Sequence, residues 1–278
     1  MKQRAYAKIN LSLDIFNVRE NGYHDLNSIM LPIDFYDELE ISVSVKDEYR
    51  CNRHYIRNSQ DNSIIKMIRI LKERYSLSDH YSIILNKQIP TQAGLGGGTA
   101  DAAAALRIMQ RIHQLEMTDD EIREICMLVG ADVPFNYYNV PAVVGGLGEE
   151  IEEIPLKKTY YILLVKPWSG VSTKQAYELL DMEKCDHPDI PKLKKALING
   201  ESIHGLLGNS LEQPAFQLNS EIVRVKEQLT AAGARNVLMS GSGSTVFCID
   251  EDRKEIRRIA QRMKDSGYYL RFTRTLNQ

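Results

Sequence analysis

Four glycines within five positions mark the part of the chain best suited to chemistry. They are Gly94, Gly96, Gly97 and Gly98. An alternating, strand-like segment at 81–86 precedes them, and an alanine-rich, helical run from Ala102 follows. This order suits an anion such as phosphate, because glycine lets a ligand approach the backbone and a helix N-terminus offers free N–H groups. Thr99 is expected to cap this helix and to bring a hydroxyl to the same place.

The glycine loop matches neither of the two common phosphate-binding motifs. A P-loop requires a lysine directly after its last glycine, and the loop contains no lysine. The dinucleotide fingerprint requires a third glycine where Thr99 stands. A flexible linker is disfavoured, because the loop contains Leu95 and leads directly into a strong helix. The loop is therefore predicted to be an ordered phosphate site of another type.

A lysine and an asparagine lie close together near the start of the chain. The segment Ala5–Ile15 alternates like a β-strand, which places Lys8 and Asn10 side by side on one face. Spacing alone favours a half-solvated strand, in which these two side chains are ordinary polar residues.

An aspartate occupies a corner between two predicted elements. The segment Thr118–Glu121 has the sequence of a capping box, so a helix is predicted to follow it. Pro134 is expected to stop this helix and to hold Val133 in an extended conformation, which places Asp132 at a rigid corner. By itself, an aspartate before such a turn is most often a local cap.

Aromatic and amide side chains supply the remaining candidates. Asn21-Gly22 predicts a turn from which Tyr23 and His24 project, although such a pair is usually structural. A helix is predicted from Asn62, which is most simply its N-cap. A second helix is predicted from Val171 and contains Thr173 and Tyr177, and a buried structural aromatic is nearly as good an interpretation of Tyr177 as a ligand contact. 

Composition excludes several classes of function. The 278 residues carry a net charge of −2, with 43% hydrophobic and 26% charged residues, which is typical of a globular protein and gives no basic footprint for nucleic acid. No apolar stretch reaches membrane-spanning length, and the first residues lack an apolar signal core. The four cysteines are widely spaced, so neither a disulfide framework nor a metal site is favoured. We expect a cytoplasmic protein, with no prediction of its oligomeric state.

Strands and helices alternate along the chain. Strands are predicted at Asp37–Lys46 and Tyr160–Val165, and a hairpin is predicted within 236–247. Amphipathic helices at 220–232 and 253–266 each end at a glycine. This alternation predicts an α+β architecture.

Three motifs in the correct order resemble the galactokinase, homoserine kinase and mevalonate kinase (GHMP) superfamily. They are Ala-Lys-Ile-Asn-Leu-Ser-Leu from Ala7, the glycine loop from Pro90, and Ser-Gly-Ser-Gly-Ser from Ser240. Gly-Tyr-His from Gly22 and Gly-Ala-Asp-Val-Pro-Phe from Gly130 add to the resemblance, which spans nearly the whole chain.

The resemblance implies a two-domain GHMP kinase fold of the α+β class. Its N-terminal domain, of the ribosomal-protein-S5-domain-2-like nucleotide-binding type, would occupy 1–155 with the glycine loop at 90–100. Its C-terminal GHMP kinase domain, an α/β sandwich, would occupy 156–278.

The resemblance also implies roles for individual residues. Lys8 and Asp132 would be catalytic, ATP and Mg²⁺ would be the cofactors, and Thr99 would be a magnesium ligand directly or through water. The nucleotide would be held by Asn62 near the adenine and by the loop residues Pro90, Thr91, Gln92, Ala93, Gly94, Leu95, Gly96, Gly97, Gly98, Thr99 and Ala100.

The triple glycine after Leu95 most resembles the members of the superfamily that phosphorylate a cytidine-diphosphate-linked sugar alcohol in the non-mevalonate isoprenoid pathway, in which Gly-Tyr-His is also a recurring motif. Tyr23 and Tyr177 would sandwich the cytosine, and His24 would bind its edge, because an aromatic face and a ring with donor and acceptor suit a pyrimidine. The substrate-binding residues implied are Asn10, Tyr23, His24, Thr173, Tyr177, Gly241 and Ser242.

Some positions depart from the resembled pattern, and two other functions stay open. Thr99-Ala100 replaces the usual serine pair, Gln92 stands where a small residue is common, and Ser210 replaces an aspartate. The alternatives are a GHMP kinase of the homoserine or mevalonate type, and a catalytically weak nucleotide-binding paralogue.

Overall fold

The computed structural model describes residues 1–20 and 22–276, which form eleven strands and nine helices. The strands are β1 (Lys2–Val18), β2 (His24–Ser44), β3 (Glu48–Cys51), β4 (His80–Asn86), β5 (Ala142–Gly145), β6 (Glu150–Glu153), β7 (Tyr161–Lys166), β8 (Gly208–Asn209), β9 (Val237–Met239), β10 (Val246–Asp250) and β11 (Tyr269–Arg274). The helices are α1 (Ser63–Tyr75), α2 (Gly97–His113), α3 (Asp119–Val129), α4 (Val133–Tyr138), α5 (Thr173–Glu178), α6 (Ile190–Asn199), α7 (Glu212–Leu218), α8 (Glu221–Ala231) and α9 (Arg253–Met263).

The chain divides into two compact units, each made of several segments. The first unit comprises Met1–Ala7, Phe35–Pro90 and Gly96–Asn139. The second comprises Lys8–Asp34, Thr91–Leu95 and the chain from Val140 onward. The domain boundary expected at 155/156 stays a prediction.

The first unit packs helices on a sheet. Within it, β2 pairs antiparallel with β4 from Glu38↔Asn86 to Ser44↔His80, and β3 runs parallel to β4. The alanines at the start of α2 are fully buried, so neighbouring helices can approach this helix closely. The predicted caps are confirmed: the Asn62 side chain accepts from Ile64 N at 3.0 Å, and Thr118 and Glu121 form the capping box of α3.

The second unit contains a four-stranded antiparallel sheet of order β11-β7-β10-β9. The inward faces of α8 and α9 are apolar, with Ile222 and Val225 on α8 and Ile256 and Ile259 on α9 buried. The predicted core strand and the predicted hairpin are confirmed as β7 and as β9 with β10. Elsewhere in this unit, β8 runs parallel to β1 at Ser12↔Gly208, and β5 pairs with β2 at Ser28↔Val144.

Three local predictions are wrong. Thr99 does not cap α2: the residue before the helix is Gly96, in the left-handed conformation with φ 66°. Pro134 does not hold Val133 extended but lies in the first turn of α4, where its fixed φ suits the start of a helix. The outer face of β1 is not half-solvated, because Lys8 and Asn10 are both buried.

The predicted Asn21-Gly22 turn includes Asn21, which lies outside the described residues. Beside it, Arg19 N donates to Tyr23 O at 2.7 Å, and Gly22 has φ 80°.

Among the described helices, none has the length and apolarity required to cross a membrane.

Candidate active site

The first turn of α2 is a part of the glycine loop that lies in the first unit. A methyl group added at Gly97 would lie 2.9 Å from Ile89 Cγ2, so only glycine fits there without a shift of its neighbours. Gly98 is exposed. Because the first N–H groups of a helix have no acceptor inside it and carry the positive end of its dipole, this turn is suited to an anion.

Thr99 lies inside this first turn, and its hydroxyl has defined partners. Thr99 Oγ1 donates to Gly96 O at 2.9 Å and accepts from Asn136 Nδ2 at 2.8 Å. Since a hydroxyl oxygen has two acceptor lone pairs, these bonds leave one for a water or a metal ion. Among the described residues, no cluster of three or more His, Cys, Asp and Glu side chains could hold a metal. A hydroxyl ligand fits Mg²⁺ that takes its other oxygens from phosphates and water.

Asp132 begins α4 and is connected to Thr99 through one side chain. Asn136 Nδ2 donates both to Thr99 Oγ1 and to Asp132 O, the latter at 2.9 Å. Arg107 on α2 fixes the other end of α4 by donating to the carbonyls of Asn136 and Tyr137, and burial lowers the pKa of Arg107. The structure therefore brings Thr99 and Asp132 together.

Asn62 lies at the start of α1, close to the glycine loop. A methyl group added at Gly98 would lie 3.4 Å from Oγ of Ser63, the residue after Asn62. The Asn62 amide is already engaged, since Oδ1 accepts from Ile64 N and Nδ2 donates to Arg57 O at 3.1 Å. Its placement beside the loop agrees with a site near the nucleotide, and its contact with adenine stays a prediction.

Lys8 and Asn10 lie in the second unit, on a buried face of β1. Lys8 Nζ donates to Asn10 Oδ1 at 2.7 Å, and Asn10 Nδ2 donates to Ser28 Oγ at 2.9 Å. Ser28 Oγ in turn donates to Ser12 O at 2.5 Å. This chain of hydrogen bonds fixes the position of the lysine side chain.

The first part of the glycine loop is bound to the segment 240–245 within the second unit. Ser240 Oγ donates to Gly94 O at 2.9 Å, and Thr245 N donates to Ala93 O at 3.2 Å. Gly241, with φ 54°, passes close to the lysine, since an added methyl group would lie 3.4 Å from Lys8 Nζ. The structure therefore brings together Lys8, Asn10, Gly94 and Gly241.

The residues predicted to bind the cytidine end form two contacts in the second unit. The rings of His24 and Tyr177 lie 5.0 Å apart at 57°, and the hydroxyls of Thr173 and Ser242 are 2.7 Å apart. Tyr23 is 62% exposed. The ring of Tyr177 thus contacts that of His24, and the sandwich of Tyr177 with Tyr23 stays a prediction.

The structure shows the surroundings of the three residues that depart from the resembled pattern, and those of Ala100 and Ser210 account for the residues found there. Ala100 is buried in the core of the first unit, and Gln92 adopts φ 50°. Ser210 accepts from Ile15 N at 3.0 Å and donates to Asp186 O at 2.7 Å, so its hydroxyl is satisfied.

Four residues that support the site were not among the predicted site residues. They are Ser28, Asn136, Asn209 and Ser240. Asn209 donates to the carbonyls of Met239 and Gly241, each at 2.8 Å, and thus fixes the turn after β9. A small polar residue on an otherwise apolar strand was the available signal for Ser28.

Comparison with known proteins defines the class. The profile described as "GHMP kinases N terminal domain" matches residues 62–146, and that described as "GHMP kinases C terminal" matches residues 188–268. Both parts of a GHMP kinase are thus present, which agrees with the predicted two-domain α+β fold. The crystal structure of a homoserine kinase from Cytophaga hutchinsonii, 18% identical with a TM-score of 0.73, covers 98% of this chain and 94% of its own and shares the fold.

More similar proteins narrow the assignment. A 4-diphosphocytidyl-2-C-methyl-D-erythritol kinase of Clostridium beijerinckii is 38% identical over 99% of this chain and 100% of its own. The crystal structure of a 4-(cytidine 5'-diphospho)-2C-methyl-D-erythritol kinase superposes with a TM-score of 0.84 at 30% identity, covering 100% of both chains. The chain belongs to the 4-diphosphocytidyl-2-C-methyl-D-erythritol kinase family.

Proposed function

We propose that this protein transfers a phosphoryl group from ATP to the 2-hydroxyl of 4-diphosphocytidyl-2-C-methyl-D-erythritol, a step of the non-mevalonate isoprenoid pathway. The observation that carries this proposal is the similarity to kinases of that name over the full length of both chains. The buried Lys8–Asn10 pair supplies polar side chains, and the first turn of α2, where Gly98 is exposed, supplies N–H groups, both of the types that phosphoryl transfer requires.

The first turn of α2 would hold the phosphates of the nucleotide. The N–H groups at the helix start have no acceptor within the helix, and the exposed Gly98 would permit close approach of a phosphate. MgATP supplies the phosphoryl group and a divalent charge on the phosphates. Thr99 would contact the ion through the remaining lone pair of its hydroxyl, and Asn136 would keep that hydroxyl oriented.

Asp132 and Lys8 would carry the two charged roles. Asp132 would accept the proton of the attacking hydroxyl, since a carboxylate is acceptor-only when ionised. Lys8 would stabilise negative charge on the transferring phosphoryl group, and its bond to Asn10 fixes the ammonium in advance. Because the hydroxyl is on a tertiary carbon, alignment of the substrate is the main requirement.

The cytidine end would be recognised in the second unit. His24 and Tyr177 offer adjacent rings, one with a polar edge, and Thr173 and Ser242 offer paired hydroxyls. Tyr23 is exposed and would stack on the base. Asn10 and Gly241 would contact the sugar-alcohol part.

The experiment is ADP release with three acceptors supplied separately: the cytidine compound, homoserine and mevalonate. Turnover with the cytidine compound alone is expected. Turnover with homoserine or mevalonate alone would replace the proposed substrate and keep the kinase. ATP binding without turnover of any acceptor would support a catalytically weak nucleotide-binding protein instead.

A further inference from the structure

The proposed mechanism leaves out a buried group of three charges in the first unit. Lys87 Nζ donates to Asp37 Oδ2 at 2.5 Å and to Asp101 Oδ2 at 2.6 Å. All three residues are buried: Lys87 is 2% exposed, Asp37 is 0% exposed and Asp101 is 4% exposed. We call this group the Lys87 clasp.

The clasp connects two segments that meet at the glycine loop. Asp37 Oδ1 accepts from Gln88 N and Ile89 N, at 2.5 and 2.8 Å, and so fixes the backbone just before Pro90. Asp101 lies on α2, one turn after Gly97. A methyl group added at Gly97 would lie 3.0 Å from Lys87 Nζ, so the ammonium packs directly beneath the first residue of the helix.

Stability alone does not explain such a group. Buried ion pairs are often no better for stability than apolar side chains of the same size, because removing the charges from water is costly. Here one ammonium faces two carboxylates, and Asp101 Oδ1 is buried without a hydrogen-bond partner among the described residues. The clasp therefore holds two carboxyl groups and one ammonium directly below a helix start.

We propose that the Lys87 clasp is a positioning device for the nucleotide: it fixes the first turn of α2 against residues 87–89, so that the N–H groups of Gly97 and Gly98 are held ready for the triphosphate. This inference rests on the proposed binding of ATP by the glycine loop. Lys87 is a positioning residue, because its buried ammonium acts through the backbone of α2.

The first test compares Lys87→Met with Lys166→Met. Both substitutions remove a buried lysine ammonium, but Lys166 lies at the end of β7 in the second unit, where it donates to Pro167 O at 2.9 Å. Lys87→Met is expected to raise the KM for ATP about 10-fold and to leave the KM for the acceptor within about twofold. Lys166→Met is expected to lower stability and leave the KM for ATP within about twofold. An unchanged KM for ATP in Lys87→Met would overturn the proposal.

The second test uses Asp101→Asn, which keeps the Lys87–Asp37 pair and a carbonyl that accepts from Lys87. Burial, partly opposed by Lys87 and reinforced by Asp37, raises the pKa of Asp101 to about 8. Burial disfavours the Lys87 ammonium, but the two carboxylates outweigh it and raise the pKa of Lys87. Tyr49 on β3 also faces Asp101, and burial raises the pKa of Tyr49 to about 12, outside the range tested.

Raising the pH from about 7 to about 9 therefore ionises Asp101 and adds a buried negative charge below the phosphate site. The probe is adenylyl imidodiphosphate with Mg²⁺, bound to the full chain and measured by calorimetry. The dissociation constant of the natural protein should rise at least about fivefold relative to that of Asp101→Asn across this range. A constant ratio of the two values would overturn the proposal.

These measurements test the role of the clasp and the identity of the substrate separately. If the natural protein binds the analogue but transfers nothing to the cytidine compound, the substrate is wrong and the clasp is still judged by its dissociation constants. If it binds no adenine nucleotide at either pH, the clasp proposal falls.

Discussion

Lys8, Asn10 and Ser28 form a chain of hydrogen bonds on one buried face of the second unit. In the first unit, Asn136 holds the carbonyl of Asp132 and the hydroxyl of Thr99 at once. Because polar groups removed from water need partners, the side chains of Lys8, Asn10 and Thr99 have orientations that their neighbours determine. At the residue scale, we therefore expect activity or substrate binding to be lost when a substitution removes the charged group or the aromatic ring of a functional residue and leaves the backbone unchanged.

Replacing Asp132 by asparagine tests the proposed acceptor of the substrate proton. Asp132→Asn should lower kcat about 1,000-fold, because an amide cannot accept the proton, while binding of ATP should stay within about twofold. The matched control is Asp120→Asn, at a surface aspartate whose side chain is 90% exposed. A kcat for Asp132→Asn equal to that of the control would remove Asp132 from the mechanism.

Tyr23 offers a test of base stacking that does not disturb folding. Its side chain is 62% exposed, so Tyr23→Ala should leave stability nearly unchanged and raise the KM for the cytidine compound about 10-fold through loss of a stacking surface. Tyr55, 63% exposed in the first unit, supplies the control Tyr55→Ala. Equal acceptor KM values for the two variants would argue against stacking by Tyr23.

At the scale of elements, local signals predicted much of the fold. The caps of α1 and α3, the strand β7 and the β9–β10 hairpin follow from side-chain periodicity and capping chemistry within a few residues. The burial of both faces of β1 could not be predicted, because it depends on what packs over the strand. Pro134 was misinterpreted because proline, which disrupts the interior of a helix, is also favoured in the first turn of one, where it lies in α4.

The candidate site, too, could be predicted only in part from the sequence. The glycine loop, Lys8 and Asp132 were accessible through short motifs, whereas the partners that orient them are distant in sequence. Asn10 and Ser28 are 18 residues apart, and Lys87 and Asp37 are 50 residues apart. Only the folded chain shows that these side chains meet.

Gly94 provides a test of the loop as an element. A methyl group there would lie 1.9 Å from Ser240 O, at a backbone φ of 71°. Gly205 has φ 74° with nothing within 4 Å, so Gly205→Ala measures the cost of the left-handed conformation alone. That cost is about 1–2 kcal/mol in the free energy of unfolding.

Gly94→Ala should cost at least about 2 kcal/mol more than Gly205→Ala, because the loop must move away from Ser240. Urea unfolding of both variants gives the difference directly. Equal losses would show that the contact of Gly94 with Ser240 is not tight.

At the scale of the whole molecule, we expect stability to depend on pH through His187. His187 Nδ1 lies 2.7 Å from Asp14 Oδ1, and this hydrogen bond, with one involving Met182 O, raises the pKa of His187. A pKa raised in the folded state adds stability below the unfolded value of about 6.5, and that stability is lost as pH rises through the folded value.

His187→Asn should therefore destabilise the protein more at about pH 6 than at about pH 9. The difference should stay below about 1 kcal/mol, because the His187 side chain is 45% exposed and solvent screens the pair. Urea unfolding at the two pH values measures it, with His54→Asn at an exposed histidine as control. A loss that is independent of pH would exclude the Asp14–His187 pair as its source.

The position of the transferred phosphoryl group is the most direct test of the proposed function. The purified protein is incubated with Mg²⁺, 4-diphosphocytidyl-2-C-methyl-D-erythritol and ATP labelled at the γ-phosphate, and the product is examined by mass spectrometry and phosphorus NMR. We predict a labelled phosphate monoester on the 2-hydroxyl, with the cytidine diphosphate group intact. Label found only in inorganic phosphate, or on a different hydroxyl, would contradict the proposed activity.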